Sequence, residues 1–364
     1  MNPQPMSSQQ PKQSSTSASS QSQSPTSPFS VPVLIAVTAI LAIVASFFAK
    51  FSPFNFSLPA AIAGSREVVT RVVDSSSVGS TAGQKRMMSS RTPVYFWGHG
   101  GPNIMYDYDH PAYRAIQKVG KEITTKVKPK AVIVLSGHWQ AKKDEVQINT
   151  AEITDLIYDF YGFPSHYYKE TYPNVGSKEV AEKVMTAVRS AGLNISGVKR
   201  GLDHGVWSSF KIAFDHDDNP LNVPLVQLSL YGNEDPLKHF KLGAALAPLR
   251  EEGIVIIASG MAVHNLRDYM LSTSRRPLPY TASFDEAMKE AATAPFEDGR
   301  REKAVVELVK RVDARQSHPH MDHLMPFHVA AGAAAEDNGK QLFTFWESSM
   351  SWAQYRWGDV PAKI

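Results

Sequence analysis

Apolar residues along the chain follow two alternating periods. Largely uninterrupted short runs, PVYFW at 93–97, AVIVL at 131–135, VPLVQLSL at 223–230 and IVIIA at 254–258, have the length and β-branched content of strands buried on both faces. Between them apolar positions recur at helical spacing, in DHPAYRAIQKVGKEI at 109–123 and in segments 177–190, 235–250, 282–292 and 300–312. QLFTFW at 341–346 reads as a last strand. Strands alternating with helices predict an α/β fold: one domain with a central mostly parallel or mixed sheet flanked by helices. No internal repeat is evident.

The pattern changes toward the front. Residues 1–30 are rich in Ser, Gln, Pro and Thr, with one lysine, a composition too polar to build a core and expected to be disordered. Val31 to Ala49 is uncharged throughout, close to the ~20 residues that cross a bilayer, and reads as a single transmembrane helix. A signal peptide fits less well, because a long leader precedes the run, and no polar face marks it as a core helix. Lys12 alone precedes it while Lys50, Arg66 and Arg71 follow, so the positive-inside bias puts the downstream domain in the cytosol. Residues 50–90 resemble a linker, with a weak organelle-targeting character, and 91–364 form the single folded domain. An internal start at Met87 or Met88 would give a soluble cytoplasmic product instead.

Composition fits a large core: of 364 residues, 43% are hydrophobic and 20% charged. The absence of cysteine rules out disulfides and thiolate ligands. The net charge of +3 is unevenly held, since Lys12, Lys50, Arg66, Arg71, Lys85 and Arg86 face only Glu67 and Asp74 within 1–90. The remainder is close to neutral, which argues against nucleic acid as a partner.

Three histidines follow strand-like runs: His99 after PVYFWG, His138 after AVIVLSG, and His264 a little beyond GIVIIASGMAV. In an open α/β sheet ligands bind outside the carboxyl ends of the strands, so the three can converge on one metal. Neutral imidazoles suit zinc and iron, and three protein ligands leave coordination positions open for chemistry. His204, in GLDHGVWSSF, stands outside this pattern. It could transfer protons near the metal, serve as a fourth ligand, or simply begin a helix.

GHGGP at 98–102, SGHW at 136–139, YDFYGFP at 158–164, DHGVW at 203–207, SGMAVHNL at 259–266 and HPHMDHLMPFHVAAGAA from His318 together resemble the DOPA-dioxygenase type of extradiol ring-opening dioxygenases, within the class III extradiol enzymes. The resemblance spans roughly 92–348. It implies a non-haem centre with His99, His138 and His264 as ligands, His204 as acid/base, and Fe(II) for turnover, with Zn(II) able to occupy the same site. The substrates it implies are a catechol and O2, with ring cleavage beside the hydroxyls to give a semialdehyde. It also makes the aromatic segment 157–173 a wall of the substrate pocket, with Tyr161 and His323 touching substrate.

Other readings compete. HPHMDH at 318–323 spells the ligand pattern of two-zinc hydrolases, His318, His320, Asp322 and His323, but no run of short strands surrounds it and His328 is the sole later histidine. A non-enzymatic metal-binding or signalling protein on the same scaffold is the alternative from another class. His166 is not expected to ligate, and His110, His216 and His239 are expected to face solvent. The sequence leaves the oligomeric state open.

Overall fold

The computed structural model describes residues 91–361, so the expected tail at 1–30, membrane helix at 31–49 and linker at 50–90 lie outside the described residues. No described helix is long and apolar enough to cross a membrane. The first half comprises β1 (Val94–Gly98), α1 (Pro111–Glu122), β2 (Ala131–Gln140), β3 (Val146–Asn149), α2 (Lys178–Ser190), β4 (Ile195–Val198), α3 (His204–Ala213) and β5 (Leu225–Leu230). The second comprises α4 (Pro236–Leu246), β6 (Ile254–Gly260), β7 (Val263–His264), α5 (Leu266–Leu271), α6 (Pro279–Thr293), α7 (Arg300–Glu307), α8 (Ala314–Ser317), α9 (Met325–Ala333), β8 (Gly339–Phe343), β9 (Trp346–Glu347), β10 (Met350–Ser351) and β11 (Gln354–Trp357).

The main sheet has eight strands in the order β4-β3-β5-β2-β6-β1-β11-β8, and β7-β10-β9 form a separate small sheet. Strands β5, β2, β6 and β1 run parallel, whereas β11 pairs antiparallel to β1, and β3 antiparallel to β5, so the sheet is mixed. Alternate residues of β1 supply opposite faces: Val94 and Phe96 join the core beneath α2, α4, α6 and α9, while Tyr95 and Trp97 join the core beneath α1 and α3. Burial on both faces is why these strands read as apolar runs rather than as alternating ones.

The differences from expectation are local. The helix expected to reach 250 ends at Leu246 and tightens into a 3-10 turn over Ala247–Glu252, where Pro248 has no N–H to continue the ladder. The short strands β3, β4 and β11 and the wholly buried α9 carry too little periodicity to stand out in the sequence. His110 and His239 were expected in solvent, but they are buried, His110 capping α1 by accepting from the Ala112 N–H and His239 packed inside α4. Polar sequence neighbours concealed that each ring finds internal partners.

Candidate active site

Strands β1 and β2 flank β6, so their ends lie about two strand spacings apart, roughly 10 Å, and imidazoles carried there can meet over β6. They do: Nε2 of His99 and Nε2 of His138 are 3.2 Å apart. Small residues at the end of β6 leave the room. A Cβ on Gly260 would stand 2.2 Å from the carbonyl oxygen of His323, which accepts from Met261 N–H at 3.0 Å. This hangs the loop before α9 over the sheet edge and brings Nε2 of His323 to 3.1 Å from that of His138. His99, His138 and His323 thus form one group able to hold a metal ion.

The other ring nitrogens determine what the group can do. Ser259 commits its hydroxyl proton to the Gly205 carbonyl at 2.5 Å, so at 2.9 Å it accepts from Nδ1–H of His99. Nδ1 of His138 lies 3.1 Å from Oδ2 of Asp159, and Nδ1 of His323 lies 2.9 Å from Oδ1 of Asp322. With all three Nδ1 protons engaged, three Nε2 lone pairs face one another. Such an arrangement calls for a cation among them, and an imidazole whose other N–H is fixed by a carboxylate or hydroxyl is the usual form of a metal ligand. Burial and the neighbouring histidines push His99 well below its ordinary pKa. Burial acts against protonation of His138 too, yet Asp159 and the nearby Asp203 and Asp322 raise it, so the centre of the group favours positive charge.

His204 is the first residue of α3 and is buried beside the trio, its ring 4.1 Å from that of His138 between centroids. Oδ1 of Asp159 accepts from both its Nδ1–H, at 2.9 Å, and its backbone N–H, at 3.0 Å. No described residue hydrogen-bonds its Nε2. Gly205 explains the glycine of DHGVW: a Cβ there would come within 2.4 Å of Ser136 Oγ and 2.7 Å of His138 Cδ2.

The structure therefore brings together His99 and His138 of the expected ligands but not His264. Met261 and Ala262 separate β6 from β7, and His264, the second residue of β7, lies in the separate small sheet and stacks flat on His323, centroids 3.8 Å apart. His264 groups with Asp322 and His323, and His323, expected to touch substrate, occupies the third place beside His99 and His138. Burial and then His323 hold the pKa of His264 well below normal. Tyr161 is 91% exposed, while its neighbour Phe160 is buried with its ring edge-on to His204 at 5.5 Å. The HPHMDH run does not converge either: His318 is buried against the Ala262 carbonyl and His320 is exposed. His166 is exposed, as is His216.

Asp159 and Ser259 are functional candidates that sequence reading passed over, and Asp322 entered it only as part of the two-zinc pattern. Each had a signal: Asp159 is the lone carboxylate inside the YDFYGFP segment, Asp322 adjoins a histidine, and Ser259 ends a buried apolar strand. Although burial alone would raise Asp159 and Asp322, hydrogen bonds from the histidines hold both well below the usual carboxylate range. A cleft of about 910 Å3, lined by Tyr158, Tyr172, Phe214 and Leu221 among others, opens behind the aromatic segment, and none of His99, His138, His204 and His323 lines it.

Residues 88–353 match the family model described as the catalytic LigB subunit of aromatic ring-opening dioxygenase. The chain is 34% identical over 267 residues to a Beta vulgaris protein named 4,5-DOPA dioxygenase extradiol, covering 72% of this chain and 95% of that one. An Escherichia coli K12 protein of the same name is 32% identical, over 68% of this chain and 87% of its own length. A Schizosaccharomyces pombe protein named 4,5-DOPA dioxygenase extradiol-like is 28% identical, over 68% and 86%. Among solved structures, that of an uncharacterized Escherichia coli K12 protein matches with a TM-score of 0.58 and 27% identity, covering 74% of this chain and all of that one.

Proposed function

The chain belongs to the family of the catalytic LigB subunit of aromatic ring-opening dioxygenases, and from that premise we propose that it opens a catechol of the DOPA type beside its hydroxyls, with Fe(II) held by His99, His138 and His323. It is an oxidoreductase of the extradiol dioxygenase class. The observation that carries the metal assignment is the convergence of three Nε2 atoms, at 3.1 and 3.2 Å, whose Nδ1 protons are all engaged elsewhere. When bound there, Fe(II) would supply the redox and template chemistry by which O2 meets the ring, and Zn(II) suits the same imidazoles.

The remaining tasks fall to side chains. Burial keeps His204 below the ordinary imidazole pKa, despite Asp159, so near neutral pH it is an uncharged base with Nε2 free to accept a catechol proton. His264 is likewise neutral, no hydrogen bond from a described residue engages its ring, and its stacking on His323 sets it beside the same space. We assign it the second proton transfer rather than a place among the ligands. Phe160, edge-on to His204, offers a face for a flat ring and excludes water around the base. Tyr161 and its neighbours would close over the substrate from the solvent side.

The test is oxygen consumption by the Fe(II)-loaded chain with L-DOPA, protocatechuate and unsubstituted catechol, run beside metal analysis of variants. His323→Ala should lose both metal and turnover, whereas His264→Ala should keep metal and lose turnover. His204→Gln should keep metal and lose ~10²–10⁴-fold in rate, the usual contribution of a positioned acid or base. Stoichiometric metal retained by His323→Ala would overturn the ligand set.

A further inference from the structure

Asp159 is one carboxylate with two histidine clients. Oδ2 meets Nδ1 of His138, a proposed ligand, at 3.1 Å, while Oδ1 meets Nδ1 of His204, the proposed base, at 2.9 Å. Oδ1 also accepts the His204 backbone N–H at 3.0 Å, taking the capping role at α3 that the side chain of Asp203 leaves unfilled. Its own backbone belongs to the aromatic segment, one residue before Phe160, whose ring abuts His204 and Trp207. The wall proposed to receive the substrate and the two imidazoles that would act on it are thus tied together at a single side chain.

We propose that Asp159 is a positioning residue that couples the substrate-facing segment to the metal centre by fixing the tautomers of His138 and His204 at once. The inference rests on the ligand set given above. A carboxylate can accept from both Nδ1–H groups because both of its oxygens are acceptors. An amide cannot: it presents one acceptor and one donor, so one histidine must give up its Nδ1 proton or its partner. The two Oδ1 bonds to His204 favour keeping that side intact, so the Asp159→Asn substitution turns its amide NH2 toward His138. His138 would then carry its proton on Nε2, where the lone pair for the metal is needed.

The experiment compares the full chain with Asp159→Asn and Asp159→Glu, using Zn(II) alone as the probe, competed against a chromophoric chelator. Long-range proton–nitrogen NMR of the histidine rings reports tautomers in the same samples. Asp159→Asn should bind Zn(II) ~10–100-fold more weakly, as expected for loss of a ligand's hydrogen-bond partner, with His138 moved to the Nε2–H form. Asp159→Glu retains both acceptors, so it should restore the Nδ1–H form of His138 and most of the Zn(II) affinity. Its longer reach should displace the segment, and KM for catechol should rise more than kcat falls. Wild-type affinity and unchanged tautomers in Asp159→Asn would overturn the proposal, as would failure of Glu to restore them. If instead His323→Ala binds Zn(II) as tightly as wild type, the ligand set fails, and that outcome is read independently of Asp159.

Discussion

Mild acid should destabilise the chain in large part through buried histidines outside the proposed metal-binding group. His239, His318 and His328 are completely buried, and burial pushes their pKa values down to about 4, about 4 and about 3. As a neutral ring His239 is fully engaged, Nδ1–H donating to the Asp235 carbonyl at 2.8 Å and Nε2 accepting from Tyr231 N–H at 3.2 Å. His328 donates Nδ1–H to the Leu324 carbonyl at 3.2 Å, and its Nε2 is buried without a partner. A folded pKa below the unfolded value of about 6.5 means that the unfolded chain takes up protons first as the pH falls. The three groups therefore cost nothing above about pH 6.5 and become progressively destabilising down to about pH 4. Where the unfolded state holds all three extra protons, these groups alone change stability by about 4 kcal/mol per pH unit, and in metal-free protein His99, His204 and His264, also held below the ordinary value, act in the same direction. One to two units of acidification would then offset much of the roughly 5–15 kcal/mol that stabilises a typical domain. Asp159 and Asp322 have depressed folded values, so their contribution persists above an unfolded pKa of about 4 and is lost only below it. Urea midpoints at pH 7.5, 6.5, 5.5 and 5.0, followed by tryptophan fluorescence on metal-free protein, measure the slope. His328→Leu should be at least as stable as wild type at pH 7.5, having removed an unpartnered nitrogen, and should reduce the slope by about 1.4 kcal/mol per pH unit. Equal slopes for the two proteins would refute the reasoning.

Two further substitutions probe packing. Gly205→Ala places a Cβ within 2.4 Å of Ser136 Oγ and 3.1 Å of His99 Cε1, so it should cost about 1–3 kcal/mol in thermal unfolding and weaken metal binding by displacing His99 and His138. Arg250 is wholly buried, donating to the carbonyls of Thr92 at 2.7 Å, Ala333 at 2.8 Å and Ala334 at 2.9 Å, and pairing with Asp337. Arg250→Met should therefore cost about 3–5 kcal/mol by chemical denaturation, because it leaves the buried Asp337 carboxylate with Arg91 alone, at 3.1 Å, and strands the carbonyls at the end of α9.

Of the three proposed ligands, the sequence pointed to two, His99 and His138, and to His264 where the geometry favours His323, for geometric reasons. His99 and His138 sit at the ends of parallel strands buried on both faces, where an apolar run marks the strand and the sheet dictates where it ends. His264 also follows a buried strand, but the chain turns before reaching it, and no periodicity shows where a turn points. His323 has no strand before it; the carbonyl contact that seats it on Gly260 is a tertiary feature without a local signature. The same blindness hid Asp159, whose clients lie 21 positions before it and 45 after it. The alternation of long strands and helices was readable because it is set by burial period alone. The sheet edges were not, since strands of four residues such as β3, β4 and β11 show too few periods to be distinguished from loops.

Strand β1 supplies His99, yet both of its neighbours in the sheet come from much later in the chain: Val94 pairs with Ile256 of β6 on one side and with Trp357 of β11 on the other. During synthesis this apolar strand emerges first among the described elements and has nothing to pair with until most of the chain has left the ribosome. Its assembly consists of distant pairings, the kind that makes folding slow and leaves edges open to wrong partners. The order of events follows: the imidazoles of β1, β2 and the loop before α9 cannot meet until β6 is in place between the first two strands. Metal uptake would then be a late event in the life of the chain, and a nascent or truncated chain ending before β6 would carry His99 and His138 without the means to bring them together.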